Sequence, residues 1–142
     1  MTEPAAEWKR PQPIVTNFTA PFWEATRRKE LVVQFCPVTK RFQHVPRPLS
    51  IYTGQRNVEW RPVSGRGRVY ALTVTRRAPP PFRGREPYVV ATVELAEGVR
   101  FMSNIVNCDP ESVRVGMPVR VVWDPLDDGL HYPLFEPDLG GR

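Results

Sequence analysis

From Arg68 to Arg76 the alternate residues Tyr70, Leu72 and Val74 share one face, and from Val89 to Leu95 the residues Val89, Ala91, Val93 and Leu95 do the same. A period of two predicts a pair of half-buried strands. Between them Pro79-Pro80-Pro81-Phe82-Arg83-Gly84-Arg85 cannot pair as a strand, because proline fixes φ and lacks the backbone donor. That segment must project as a stiff loop. Val99, Phe101 and Ile105 predict another strand, closed by a turn at Asn107-Cys108-Asp109-Pro110. Val113, Val115, Met117, Val119, Val121 and Trp123 all fall at odd positions, and Gly116 and Pro118 restrict the strand proper to 118–123.

Upstream the pattern changes. Residues 1–17 are polar and carry Pro4, Pro11 and Pro13, which predicts an extended segment lying along the domain or along a partner. Thr19 is placed to cap a helix over about residues 20–29, with Pro21 tolerated in the first turn and Phe18 stapling onto Trp23. Arg27, Arg28 and Lys29 would complement the helix dipole at its end. Such a helix presents Phe22 or Trp23 either to the domain's own core or to a partner. LVVQF then reads as one strand of a hairpin, followed by turns to Asn57, a segment with too little to bury without a metal or a neighbour.

Four parts follow: an N-terminal extension and helix (1–30), a small sheet-and-turn segment (31–57), a β domain (58–137) and a tail (138–142). Strands near 58–63, 67–77, 87–95, 99–107, 118–124 and 131–135 suit a mainly β fold, a five- to six-stranded closed barrel of the OB type. A β-sandwich is the alternative.

Charge sharpens this picture. The net charge is +5, but residues 61–86 hold seven arginines against Glu86 alone, whereas 124–138 hold five acids and no Lys or Arg. The basic segment suits an anionic ligand or an acidic partner surface, or serves as an edge that resists aggregation. Seventeen prolines, about twice ordinary usage, argue against long helices. No apolar run is long enough to span a membrane and the N-terminus is polar, so the cytoplasm is the simplest expected location. Cys36 and Cys108 do not make a disulfide framework.

Candidate catalytic chemistry is sparse. Cys108 has no neighbouring base in sequence, His44 reads as a surface or packing histidine, and Asp127-Asp128-Gly129 beside His131 reads as a hairpin turn. Ser64-Gly65-Arg66-Gly67-Arg68 lacks the Lys-Ser/Thr of a P-loop and reads as a glycine bend at a barrel corner. Arg76, Arg77, Phe82, Arg83, Arg85 and Tyr88 are the stronger candidates. Guanidiniums clamp phosphates and an aromatic face receives adenine, though the same residues suit a protein partner equally well.

The phrases FWEATRRKELVVQFC, PRPLSIYTG, VEWRPVSGRGRVYALTVTRR, PYVVATVELAEGVRFMSNIVNCDPESVRVGMPVRVVW and HYPLF cover about residues 18–136. In this order they resemble the acyl-CoA-associated proteins catalogued as domain of unknown function thirty-five. The resemblance implies an N-terminal helix, a small rubredoxin-like zinc ribbon and an OB-fold. It also implies a non-catalytic accessory subunit of a thiolase-superfamily or hydratase-like acyl-CoA enzyme, with a CoA thioester as a shared ligand. Helix residues Phe22 and Trp23 would be a partner contact. At the ribbon's four ligand positions, however, stand Cys36, Thr39, Ser50 and Thr53. Hydroxyls are poor zinc ligands, so a degenerate, metal-free ribbon is expected, held by Phe35, Phe42, Val45, Leu49, Ile51 and Tyr52 as an apolar cluster. Two other functions remain open: a single-stranded nucleic-acid binder, which the clustering of arginines at one tip disfavours, and a stand-alone acyl-CoA thioesterase or transferase.

Overall fold

The computed structural model describes residues 8–140, which form one short helix and eight strands. Helix α1 spans Ala20–Thr26. It is shorter than predicted, because Lys29 takes φ 54° and the chain turns out of the helix at Arg27–Lys29. Thr19 occupies the N-cap without a side-chain cap; its Oγ1 instead accepts from Thr16 N at 2.8 Å, closing the preceding turn.

Three strands make a small sheet in the order β2-β1-β3: β1 (Val32–Cys36) lies between β2 (Arg41–Gln43) and β3 (Glu59–Pro62). The strand expected near 58–63 as part of the barrel is therefore β3, and it belongs to this sheet. Val32 to Phe35 pair with Pro62 to Glu59. All of β1 is buried, and its middle is polar. Gln34 and Gln43, each 2% exposed, face each other in register. Gln43 Nε2 donates to Gln34 Oε1 (2.8 Å) and Leu49 O (3.1 Å), and Gln43 Oε1 accepts from Ile51 N (2.9 Å). Gln34 in turn holds both the N–H and the carbonyl of Arg47 at 2.8 Å. This amide pair, and not the expected apolar cluster, organises the turns after β2. Phe35 and Phe42 do pack edge to face at 4.9 Å, but Val45 and Ile51 are 61% and 60% exposed.

The remaining strands close a barrel, β4 (Arg66–Thr75), β5 (Tyr88–Leu95), β6 (Arg100–Ile105), β8 (His131–Pro137) and β7 (Pro118–Pro125), in that neighbour order. Five strands with β6 and β8 parallel are the OB arrangement. Along β4 the expected face Tyr70/Leu72/Val74 is broken. A β-bulge between Val69 and Ala71 leaves Tyr70 outside, 48% exposed beneath the Arg100 guanidinium, while Val69 is buried in the core and Leu72 and Val74 pack against it. Gly67 pairs with Leu95 on one side and Val119 on the other; a Cβ there would run into the Glu94 carbonyl, so the strand crossing requires glycine.

Phe22 of α1, Leu31 and Val33 of the small sheet, and Val69, Val93, Phe101, Val119 and Phe135 of the barrel belong to one buried cluster. The small sheet is thus stabilised by a neighbour, with the barrel supplying the apolar surface that the sheet lacks. No helix among the described residues is long and apolar enough to cross a membrane.

Replacing Gln43 by Leu would leave the buried Gln34 amide oxygen, the Leu49 carbonyl and the Ile51 N–H without these partners. An unfolding free energy lower by about 2–3 kcal/mol is expected from urea denaturation, and a change near zero would show that the amide pair does not hold these turns.

Candidate functional site

The loop between β4 and β5 is folded back on itself. Phe82 N donates to Pro79 O and Arg85 N to Phe82 O, both at 3.0 Å. Glu86 accepts from Ala78 N at 3.2 Å and from Gly84 N. Its own backbone N–H, followed by those of Ala78 and Gly84, holds this carboxyl below the usual range. Glu86 therefore organises the loop and forms no ion pair with its arginines.

Of the six residues expected to form a site here, three are gathered. Phe82 and Tyr88 rings lie 5.7 Å apart, and with Arg85 they line a cavity of about 80 Å³ shared with Arg10, Asn104 and Val106. Arg76 is engaged elsewhere: its guanidinium pairs with Glu111 at 2.6 Å, and this contact pushes the arginine up and the carboxyl down. Arg77 and Arg83 are exposed and make no ion pair with any described residue.

Two residues of the N-terminal segment complete the group. The Arg85 guanidinium carbon stands 3.8 Å from the Trp8 ring centroid. Arg10, only 11% exposed, lies 4.7 Å from the Tyr132 ring and 5.9 Å from Phe82, and binds Asp124 at 3.0 Å. The basic loop and the acidic β7–β8 hairpin are thereby laced together by a strap. Of the two placements expected for this segment, along the domain or along a partner, residues 8–12 show contacts of the first kind; residues 1–7 lie outside the described ones.

Tyr132 also borders a second feature, a mainly apolar cleft of about 230 Å³ between α1, residues 44–46, β6 and β8. Phe22 is 5% exposed and meets Trp23 edge to face at 5.0 Å, so Phe22 belongs to the floor and the half-buried Trp23 to the wall. His44 packs, as expected of it, stacking on Phe101 at 4.4 Å. Burial lowers its pKa to about 4, so the imidazole lining the cleft is neutral near pH 7.

Cys36, Thr39, Ser50 and Thr53, where the resemblance would place zinc ligands, lie close together. The Cys36 thiol is hydrogen-bonded by the Ser50 and Thr39 hydroxyls and by the N–H groups of Thr39 and Val38, which together bring it down to about 7. Ser50 Oγ accepts from Tyr52 N (3.1 Å) and Thr53 N (3.3 Å). At this second turn the side chain at position i thus takes N–H groups from i+2 and i+3. One thiol and three hydroxyls do not fit zinc, which needs four thiolate or imidazole donors. Among the described residues no group of three or more His, Cys, Asp or Glu is placed to hold a metal ion.

Catalytic constellations are equally lacking among the described residues. His131 Nδ1 donates to Thr26 O at 2.8 Å and fastens the helix end to β8, while Cys108 packs against the core. Neither histidine has a thiol or hydroxyl as a ring partner. At the glycine bend, Gly65 takes φ 75° and the Glu97 carboxylate occupies Ser64 N at 3.0 Å, the place where an anion would otherwise sit.

A closed five-stranded barrel, capped by a helix and buttressed by a small three-stranded sheet, defines an OB-fold scaffold with a basic loop at one end. Residues 60–124 match the family described as the ChsH2 C-terminal OB-fold domain. A DUF35 chain of the solved Ltp2–ChsH2(DUF35) aldolase superposes with a TM-score of 0.81 at 34% identity, over 90% of this chain and 100% of that one. The chain belongs to the DUF35 OB-fold family. A probable enoyl-CoA hydratase alpha subunit of Thermomonospora curvata is 35% identical over 136 residues, 96% of this chain and 42% of that protein. A DUF35 domain-containing scaffold protein of Methanocaldococcus jannaschii is 43% identical over 72 residues, 48% of this chain and 51% of that protein. The chain spans about half the length, or less, of these two relatives.

Because folding lowers the His44 pKa from 6.5 to about 4, the unfolded chain takes up a proton in this window that the folded chain refuses. Stability is complete above the unfolded value and falls as pH drops toward the folded one, by on the order of 2–3 kcal/mol. In urea titrations His44→Phe should flatten this part of the pH profile; parallel profiles for the two proteins would show that the imidazole titrates freely in the fold.

Proposed function

We propose that this chain is a non-catalytic accessory subunit that binds an acyl-CoA enzyme, hydratase-like or of the thiolase superfamily, and helps form its CoA-thioester entrance. The observation that carries the reading is the likeness to the DUF35 chain of the Ltp2–ChsH2(DUF35) aldolase over that chain's whole length. The matched part of the enoyl-CoA hydratase alpha subunit points the same way. The organisation of the site supports it: cations and aromatic rings stand on a proline-stiffened loop, with no base beside a nucleophile. Arg77, Arg83 and Arg85 would meet the CoA phosphates or acidic residues of the partner, and Trp23 would contribute to the partner surface.

The small sheet, in the same reading, stands without zinc. The Gln34–Gln43 pair and the hydrogen-bonded knuckles at Cys36 and Ser50 take over the restraint of the turns.

Purification from the native host should bring down an acyl-CoA hydratase or thiolase-like subunit, identified by mass, and the isolated chain should not hydrolyse acyl-CoA. Thioester turnover by the pure chain with no partner captured would overturn the accessory role. Metal analysis should find no stoichiometric zinc, and a chelator should leave the unfolding midpoint unchanged.

A further inference from the structure

The slot between Arg85 and Phe82 is filled by the chain's own indole. Trp8 lies under Arg85 at 3.8 Å and beside Phe82 at 5.5 Å, with the Arg10 guanidinium 5.6 Å from its ring, and its Nε1 donates to Pro81 O at 2.8 Å. A guanidinium above a ring face, an aromatic wall and a backbone acceptor at the ring edge suit any flat π-system that carries an N–H. Indole has those properties, and so does adenine with its exocyclic amino group. The prolines at 79–81 have no backbone donor and a fixed φ, so the loop keeps its shape when the ring leaves.

The surroundings favour a phosphorylated ligand over a bare ring. Arg77, Arg83 and Arg85 make no ion pair with any described residue, unlike Arg76, which Glu111 neutralises. Glu86, the one acid of the loop, is turned onto the backbone N–H groups of Ala78 and Gly84. The strap that delivers Trp8 is held by three contacts of unequal strength. Arg10 with Asp124 is the best-shielded anchor, partly buried at 3.0 Å. Lys9 with Asp127 (3.5 Å) is largely exposed and contributes little, and Gln12 accepts from Asp127 N at 3.1 Å. Trp8 thus sits beyond the last firm anchor, where it can leave while Arg10 stays.

We propose that the Arg85–Phe82 slot is an adenine-nucleotide site, for the adenosine end of a CoA-type ligand, and that Trp8 is its built-in occupant, which the ligand displaces. The inference rests on the reading that the basic loop meets CoA, and it adds which ring goes where and what competes with it. Binding to the wild-type chain is weakened by the cost of ejecting the indole.

The test uses adenosine 3′,5′-bisphosphate titrated calorimetrically into the full chain as wild type, Trp8→Ala and Trp8→Ala/Arg85→Ala, each checked for an unchanged fold by circular dichroism. Stacking of one ring is worth a factor of about ten or more, so Trp8→Ala should bind at least that much more tightly than wild type, and the added Arg85→Ala should remove the gain. In the wild type the ligand should raise the acrylamide quenching attributable to Trp8, read as the difference from Trp8→Phe. Equal affinities in wild type and Trp8→Ala, no binding to either, or competition by inorganic pyrophosphate as effective as the nucleotide's own binding would overturn the proposal. Capture of an acyl-CoA enzyme with no gain in Trp8→Ala would sink the displaced-indole site alone; a gain without any captured partner would sink the accessory role alone.

Discussion

The barrel depends on a close approach of backbone at Gly67. Strand β4 has to pair with β5 and β7 at once, and at that residue the Glu94 carbonyl lies where a side chain would begin. The crossing fixes the N-terminal end of β4, and pairing with β5 as far as Thr75–Tyr88 carries the strand to the basic loop. Gly65, two residues earlier, is also confined, but there a Cβ would meet the Val121 side chain and not backbone. The glycine bend is therefore a packing device, and the basic loop lies at the opposite end of the strand.

A second constraint is the hydrogen bonding that holds the turns after β1 and β2. Ser50 Oγ takes the N–H groups of Tyr52 and Thr53, and a buried glutamine pair holds the intervening turns by their backbone groups. Each buried polar atom in that set has its partner, which is the condition under which such a network rigidifies a fold. The apolar part of the task falls to the barrel, through Phe22, Leu31 and Val33 in the shared core.

Much of the barrel was legible in the sequence because period-two alternation reports which residues face inward. Strand β5 follows it directly, and in β7 Val119, Val121 and Trp123 reach the core. Alternation cannot report an inserted residue, so Tyr70 was assigned to the wrong face until the bulge was seen. Nor does it name the partner of a strand, and Glu59–Pro62 was therefore placed in the barrel although it pairs with β1. The site was legible only in part. Phe82, Arg85 and Tyr88 come together as their spacing suggests, whereas the Arg76–Glu111 pair joins positions far apart in the chain. Trp8 and Arg10 were hidden in a polar, proline-rich run; an aromatic residue and an arginine two apart in such a run were the available signal. Gln34 and Gln43 gave no sign, since amides in a strand read as exposed.

The seam between β6 and β8 is the thinnest in the barrel. Only Ile105 and Phe135 face each other there, and Val106 N reaches Phe135 O at 2.8 Å. Pro133 offers no N–H, so Ser103 supplies a hydroxyl to its carbonyl at 2.7 Å instead of a ladder bond. Local opening of a fold begins where backbone pairing is sparsest. Breathing along this line would part Phe101 and Met102 from Tyr132 and Pro133, the two walls of the aromatic cleft. The cleft therefore straddles the seam with the sparsest pairing in the barrel, whereas β4 and β5 are laddered along their length.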